Sequence, residues 1–170
     1  LKVIAGKEKK QDIKPAALMA LGLLGNDAAV PELLYMLEKD KVNRAGAVEL
    51  KGIEKSFVIQ ALGKIGVPGT AEDSMAVVNA VKGYVEGKKA KKFDVNLRRS
   101  AAIALGQLAP QCETSVQKSL VMTLKAIAKD GKDASERNYA MIAIGRIAAT
   151  EGIGDETLET AVATLKHYLD

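Results

Sequence analysis

The chain has no tryptophan, two phenylalanines, one histidine and one cysteine. Each shortage excludes something. Cys112 cannot form a disulfide within the chain, so the small disulfide-stapled class is ruled out. Its neighbours Gln111 and Glu113 carry no positive charge to lower a thiol pKa, and it reads as a buried or part-buried thiol. His167 alone cannot supply the several converging His, Cys and carboxylate ligands of a zinc or iron centre. It also leaves a Ser/His/Asp set without a second candidate base. No GxxxxGK[ST] or GxGxxG phosphate loop occurs. No apolar run approaches the roughly 18 residues of a membrane span. The sequence therefore predicts no enzyme activity, no metal and no cofactor. No signal peptide is visible and the first residue is Leu1, so the expectation is a piece of a longer protein.

The chain has 170 residues, of which 48% are apolar and only 4% aromatic. That length suits one domain, residues 1–170. Its core must be built from Ala, Leu, Ile and Val. Small residues of this kind suit closely packed helices better than a sheet, which favours β-branched and aromatic side chains.

One short pattern recurs four times: "LMALGLLG" at 18–25, "IQALGKIG" at 59–66, "AIALGQLA" at 102–109 and "MIAIGRIA" at 141–148. The central glycines Gly22, Gly63, Gly106 and Gly145 are 41, 43 and 39 residues apart. A period near 40 is the signature of a helical-repeat array. Two residues before each glycine stands Ala20, Ala61, Ala104 or Ala143. One before it stands Leu21, Leu62, Leu105 or Ile144, and two after it Leu24, Ile65, Leu108 or Ile147. Five before it stands Ala17, Val58, Ala101 or Ala140, and eight before it a base: Lys14, Lys55, Arg98 or Arg137. These spacings place apolar and small residues on a helix with two buried faces. A mid-helix glycine costs about 1 kcal/mol relative to alanine. Its recurrence implies a recurring close contact in which any larger side chain would hold two helices apart.

A second helix is predicted after each copy, over 28–40, 71–89, 112–130 and 155–170. Gly25, Pro68, Gly69, Pro110, Gly152 and Gly154 mark the turns between. The four units span approximately 11–40, 53–89, 95–130 and 134–170. The third copy carries Asp94, Leu97-Arg98, Ala101, Ala104-Leu105-Gly106 and Leu108. The fourth carries Asp133, Arg137, Ala140, Ala143-Ile144-Gly145 and Ile147. This pattern resembles the HEAT-repeat family, in its short, phycobilisome-lyase-like form, over about residues 14–169. The first two copies depart from it, with lysine for the arginine and Lys10 and Lys51 at the aspartate position, so they should lack a regular Asp–Arg contact. The resemblance implies an all-α fold, an α-solenoid with a right-handed superhelix of four helix pairs. It also implies a scaffold that binds partners. Relatives with hydroxylase activity need repeated His-Glu pairs, and glycosylase relatives stack bases on aromatic rings. The chain has neither feature, which leaves lyase- or glycosylase-like catalysis a remote alternative.

Charge is sorted along the chain. Acids such as Asp27, Glu32, Glu113, Glu151, Asp155 and Glu156 cluster near the turns inside each pair, and most of the 25 basic residues lie between units. Helix dipoles alone favour this arrangement, each charge by about 0.3–1 kcal/mol. The segments 41–54 and 87–100 are longer and more basic than a connection needs. They present Arg44, Lys51, Lys88, Lys89, Lys91, Lys92, Arg98 and Arg99 as a candidate binding edge. Tyr35, Tyr84 and Tyr168 are candidates on a concave face formed by the second helices. The expected function is a non-catalytic protein–protein interaction scaffold. Its partner would be another protein, an acidic one where the edge engages it, or one held by that face. The alternative is a module that binds the backbone of duplex nucleic acid.

Overall fold

Apolar residues at three- and four-residue spacing, with a polar cap in front and a breaker behind, set the limits of the helices. The computed structural model describes residues 13–39, 49–67, 69, 71–90 and 92–169, with the backbone alone at 71–73, 88 and 89. The described residues form α1 (Ile13–Leu24), α2 (Val30–Lys39), α3 (Gly52–Ile65), α4 (Ala71–Lys82), a single turn α5 (Gly87–Ala90), α6 (Val95–Leu108), α7 (Thr114–Asp130), α8 (Ala134–Ala148) and α9 (Asp155–Lys166). Short 3-10 turns, Asp27–Ala29 and Ala109–Gln111, lead into α2 and follow α6. The protein is all-α, with no β-strand among the described residues.

Capping is chemical and local. The Asp94 carboxylate accepts from the Asn96 N–H at 2.8 Å and starts α6. The Asp133 carboxylate accepts from Ser135 and Glu136 and starts α8. The second unit lacks that aspartate. There Glu54 reaches back and accepts from the Lys51 N–H at 2.8 Å, satisfying a donor at the start of α3. Gly66 ends α3 with φ +94°, a backbone state that side-chain-bearing residues rarely adopt.

The helices form two layers. The first helices α1, α3, α6 and α8 lie side by side in chain order, and each packs on the next. The second helices seat on the following unit: α2 on α3, α4 on α6 and α7 on α8. Among the described residues, extensive contacts join elements of one unit or of adjacent units only. The inner helices α3 and α6 are accordingly buried most of the way round, Val58, Ile59, Ala61, Leu62, Ala101, Ala102, Ala104 and Leu105 being fully enclosed. The outer helices α1 and α8 bury one face each.

Each of the first three repeated glycines sits inside its helix and faces the alanine two residues before the next glycine. A methyl group at Gly22 would lie 2.8 Å from Ala61 Cα. At Gly63 it would lie 2.8 Å from Ala104 Cα and Cβ, and at Gly106 2.8 Å from Ala143 Cβ and 2.9 Å from its Cα. These distances leave no room for a carbon, and the obstructing atoms are backbone or the first side-chain atom. Gly145 differs: a methyl there meets only Leu165 Cδ1, at 3.9 Å.

Three expectations are corrected. The helix predicted over 71–89 stops at Lys82 and runs through a turn at Gly83–Glu86 into α5, where Gly87 adopts φ +82°. Arg98 and Arg99 lie on α6 and not in a loop, because Asp94 caps the helix ahead of them. Leu24 was expected inside with Ile65, Leu108 and Ile147, yet it is 75% exposed. Its three counterparts are covered partly because a second helix from the preceding unit seats on their helix. No such helix precedes α1 among the described residues.

Candidate functional site

The two arginines of the basic edge are paired. Arg98 Nη2 lies 2.5 Å from Glu136 Oε1, and Arg99 Nη2 lies 3.0 Å from Asp133 Oδ1. Both pairs run from the third unit to the fourth. Lys14 makes the corresponding approach to Glu54 across the first junction, at 3.8 Å. At the first and third junctions the base eight residues before the glycine thus meets a glutamate of the next unit. No aspartate of its own copy takes that place. Lys51 and Lys92 are exposed. Arg44 and Lys91 lie outside the described residues, as do the side chains of Lys88 and Lys89.

Asp133 illustrates the electrostatics. The hydrogen bond from Arg99, then that from the Ser135 side chain, hold its pKa down to about 2 from an ordinary 3.8. The folded value lies below the unfolded one. The resulting stability is therefore complete above pH 3.8 and is lost as pH falls toward 2. A carboxyl NMR titration should place the Asp133 midpoint near 2, and Arg99→Ala should move it up toward 3.8. A wild-type midpoint near 3.8 would mean that the pair is open in solution.

The tyrosines do not form one surface. Tyr84 was expected on the second helix of its unit. It stands in the turn after α4, buried, with its ring centroid 4.8 Å from that of Phe93. It is a core residue because α4 ends early. Tyr35 is half-buried on α2. Tyr168 lies past the end of α9, exposed, edge-on to His167 at 5.2 Å.

A different feature emerges between α4 and α7. The second helices touch at the first and third junctions, α2 with α4 and α7 with α9. Among the described residues α4 and α7 make no comparable contact, and a trough opens there. Its larger part holds about 560 Å³, between the 85–90 segment and α7. Val85, Met122, Ala126 and Ile127 give it an apolar lining, with Glu86, Arg98 and Asp130 as the charged members. A smaller groove of about 140 Å³, lined by Met75, Val78 and Val116, shares Ser119 with it. Lys82 Nζ donates to Ser119 Oγ at 3.1 Å, so one bridge spans the two helices. Lys82 also pairs with Glu86 at 3.0 Å.

Sequence reasoning did not single out these residues, although one signal was present. Gln117, Leu120, Val121, Leu124, Ile127 and Ala128 form the buried stripe of α7. Met122 falls outside that phase and is 52% exposed.

Cys112 is half-buried. Its thiol donates to the Leu108 carbonyl at 3.4 Å, and burial raises its pKa, which disfavours the thiolate. Among the described residues no three His, Cys, Asp or Glu side chains are grouped to hold a metal ion. None of the described helices is long and apolar enough to cross a membrane. Comparison of the chain with family models, curated proteins and solved structures finds no match.

Proposed function

We propose that the four helix pairs stack as an open, right-handed solenoid of the HEAT kind, and that the protein is a non-catalytic scaffold that holds another protein in the α4–α7 trough. Contacts confined to adjacent units, and outer helices buried on one face only, support the stacking. The trough carries the binding role. It interrupts an otherwise packed layer of second helices and combines an apolar lining with charged groups nearby. Met122 and Met75 are unbranched and polarizable, suited to repacking around a partner's side chain. An apolar side chain seated against Val85, Met122 and Ile127 would be the anchor, and its neighbours would supply complementarity more than energy.

The ion pairs favour this reading over the nucleic-acid alternative. Arg98 and Arg99 face carboxylates of the same chain, so they add no net positive charge to their edge. The test is a displayed random peptide library panned on the folded protein. Selected peptides should lose about tenfold or more in affinity on Met122→Glu, the effect of one anchor contact. They should bind Lys51→Glu, which does not line the trough, unchanged. Peptides indifferent to Met122, or duplex binding that weakens steeply with salt and survives Met122→Glu, would overturn the proposal.

A further inference from the structure

The outer faces of the first and fourth units are the two halves of the junction that joins one unit to the next. Three times within the chain, a glycine of one unit closes on the alanine of the next: Gly22 on Ala61, Gly63 on Ala104 and Gly106 on Ala143. The fourth glycine, Gly145, has no alanine against it. Around it the end face is apolar and open. Ile142, one turn earlier on α8, is 64% exposed, and Tyr139, Leu158 and Val162 are also exposed. At the opposite end Ala20, the first alanine of the series, is exposed on α1 beside Leu23 and Leu24. Among the described residues no glycine closes on it.

We infer that a second copy of this chain stacks head to tail on the first, its α1 laid on α8 with Ala20 against Gly145. The occupant is argued from continuity with an interface the molecule already makes three times. Both halves are present, in the same register. Cross-unit charge does not oppose the contact. The outer base Arg137 would come opposite Ile13, which stands where the second and fourth units carry Glu54 and Glu136, and Arg137 is already held by the Gly131 carbonyl at 2.7 Å. Such an interface joins two different faces, so growth does not stop at two copies unless the geometry closes a ring. This inference rests on the unit junctions and is independent of the trough.

Two substitutions test it without disturbing the monomer. Gly145→Ala adds a methyl where the folded chain has room, and Ala20→Leu enlarges an exposed residue. Sedimentation velocity of the wild type should show species larger than the monomer that grow with concentration. Each variant alone should weaken association about tenfold or more, since one face of every junction is overpacked. An equimolar mixture of the two should form a 1:1 dimer and stop there. The Gly145 face of the Ala20→Leu copy meets the Ala20 face of the Gly145→Ala copy, and the outer faces are blocked. Circular dichroism melts of both variants should match or exceed the wild type. A wild type that stays monomeric at its highest soluble concentration would overturn the inference. So would association unaffected by either variant, or a mixture that remains monomeric.

Discussion

Alanine in place of Gly106 should destabilise the protein, and alanine in place of Gly145 should stabilise it. Both positions lie inside first helices, at the same place in the repeated pattern. Helix propensity alone gives both substitutions the same sign, a gain of about 1 kcal/mol. Packing separates them. At Gly106 the new carbon would lie 2.8 Å from Ala143 Cβ and 2.9 Å from its Cα, and the obstruction has no rotamer to change. Relief requires α6 and α8 to move apart along their whole shared face, where Leu105, Ile144 and Ala140 are fully buried. Overpacking of this kind costs about 1–3 kcal/mol, enough to exceed the propensity gain. At Gly145 the carbon meets only ordinary contact. Dilute samples followed by circular dichroism should show the two midpoints displaced to opposite sides of the wild type. A net change of about 1 kcal/mol corresponds to about 2–4 °C in a chain of this size. Gly63→Ala should behave like Gly106→Ala, with Ala104 Cα and Cβ both 2.8 Å away. Equal midpoints for Gly106→Ala and Gly145→Ala would mean that the inner glycines are not contact residues.

The helical layers were legible in the sequence because the constraint that builds them repeats. Spacing placed all four repeated glycines at close crossings; Gly22, Gly63 and Gly106 are there, each against the alanine column of the next unit, and Gly145 is not. Four things were not legible. Leu24 carries the same letter class as Leu108, and its exposure depends on which helix lies in front of it, information held outside its own segment. Tyr84 looked like a surface residue because helical phase was extended past Gly83. The turn there breaks that phase and turns the ring onto Phe93. The α4–α7 trough is a gap in the packing between helices 30 or more residues apart, bridged by Lys82 and Ser119, and no local pattern encodes a gap. The partners of Arg98 and Arg99 were hidden for a related reason. The repeat pattern marks an Asp–Arg contact without saying which carboxylate each base meets, and the folded chain pairs Arg98 with Glu136 and Arg99 with Asp133 of the next unit.

Removing Arg98 should be the most damaging single change outside the apolar core. Glu136 is fully buried, 0% exposed, and Arg98 lies 2.5 Å from it. Neither carboxylate oxygen has a hydrogen-bond partner among the described residues, so Arg98 is the main compensation for the desolvated charge. Burial raises the Glu136 pKa above its ordinary 4.5, and the Arg98 charge opposes that rise. A folded value above the unfolded one means that Glu136 costs stability as pH rises through that interval. Arg98→Ala removes the opposing charge. The loss should be about 3–5 kcal/mol at neutral pH, the usual cost of orphaning one member of a buried pair. It should shrink as pH falls, because a protonated Glu136 is neutral and has less need of a partner. Replacing both residues by apolar ones, Arg98→Met with Glu136→Leu, should recover most of the loss or exceed the wild type, since two desolvation costs vanish together. Urea unfolding of the single and double variants at neutral and mildly acidic pH measures all three terms. If the double variant is no more stable than Arg98→Ala, the pair contributes by shape and not by charge, and the cross-unit ion pair is not what couples the third unit to the fourth.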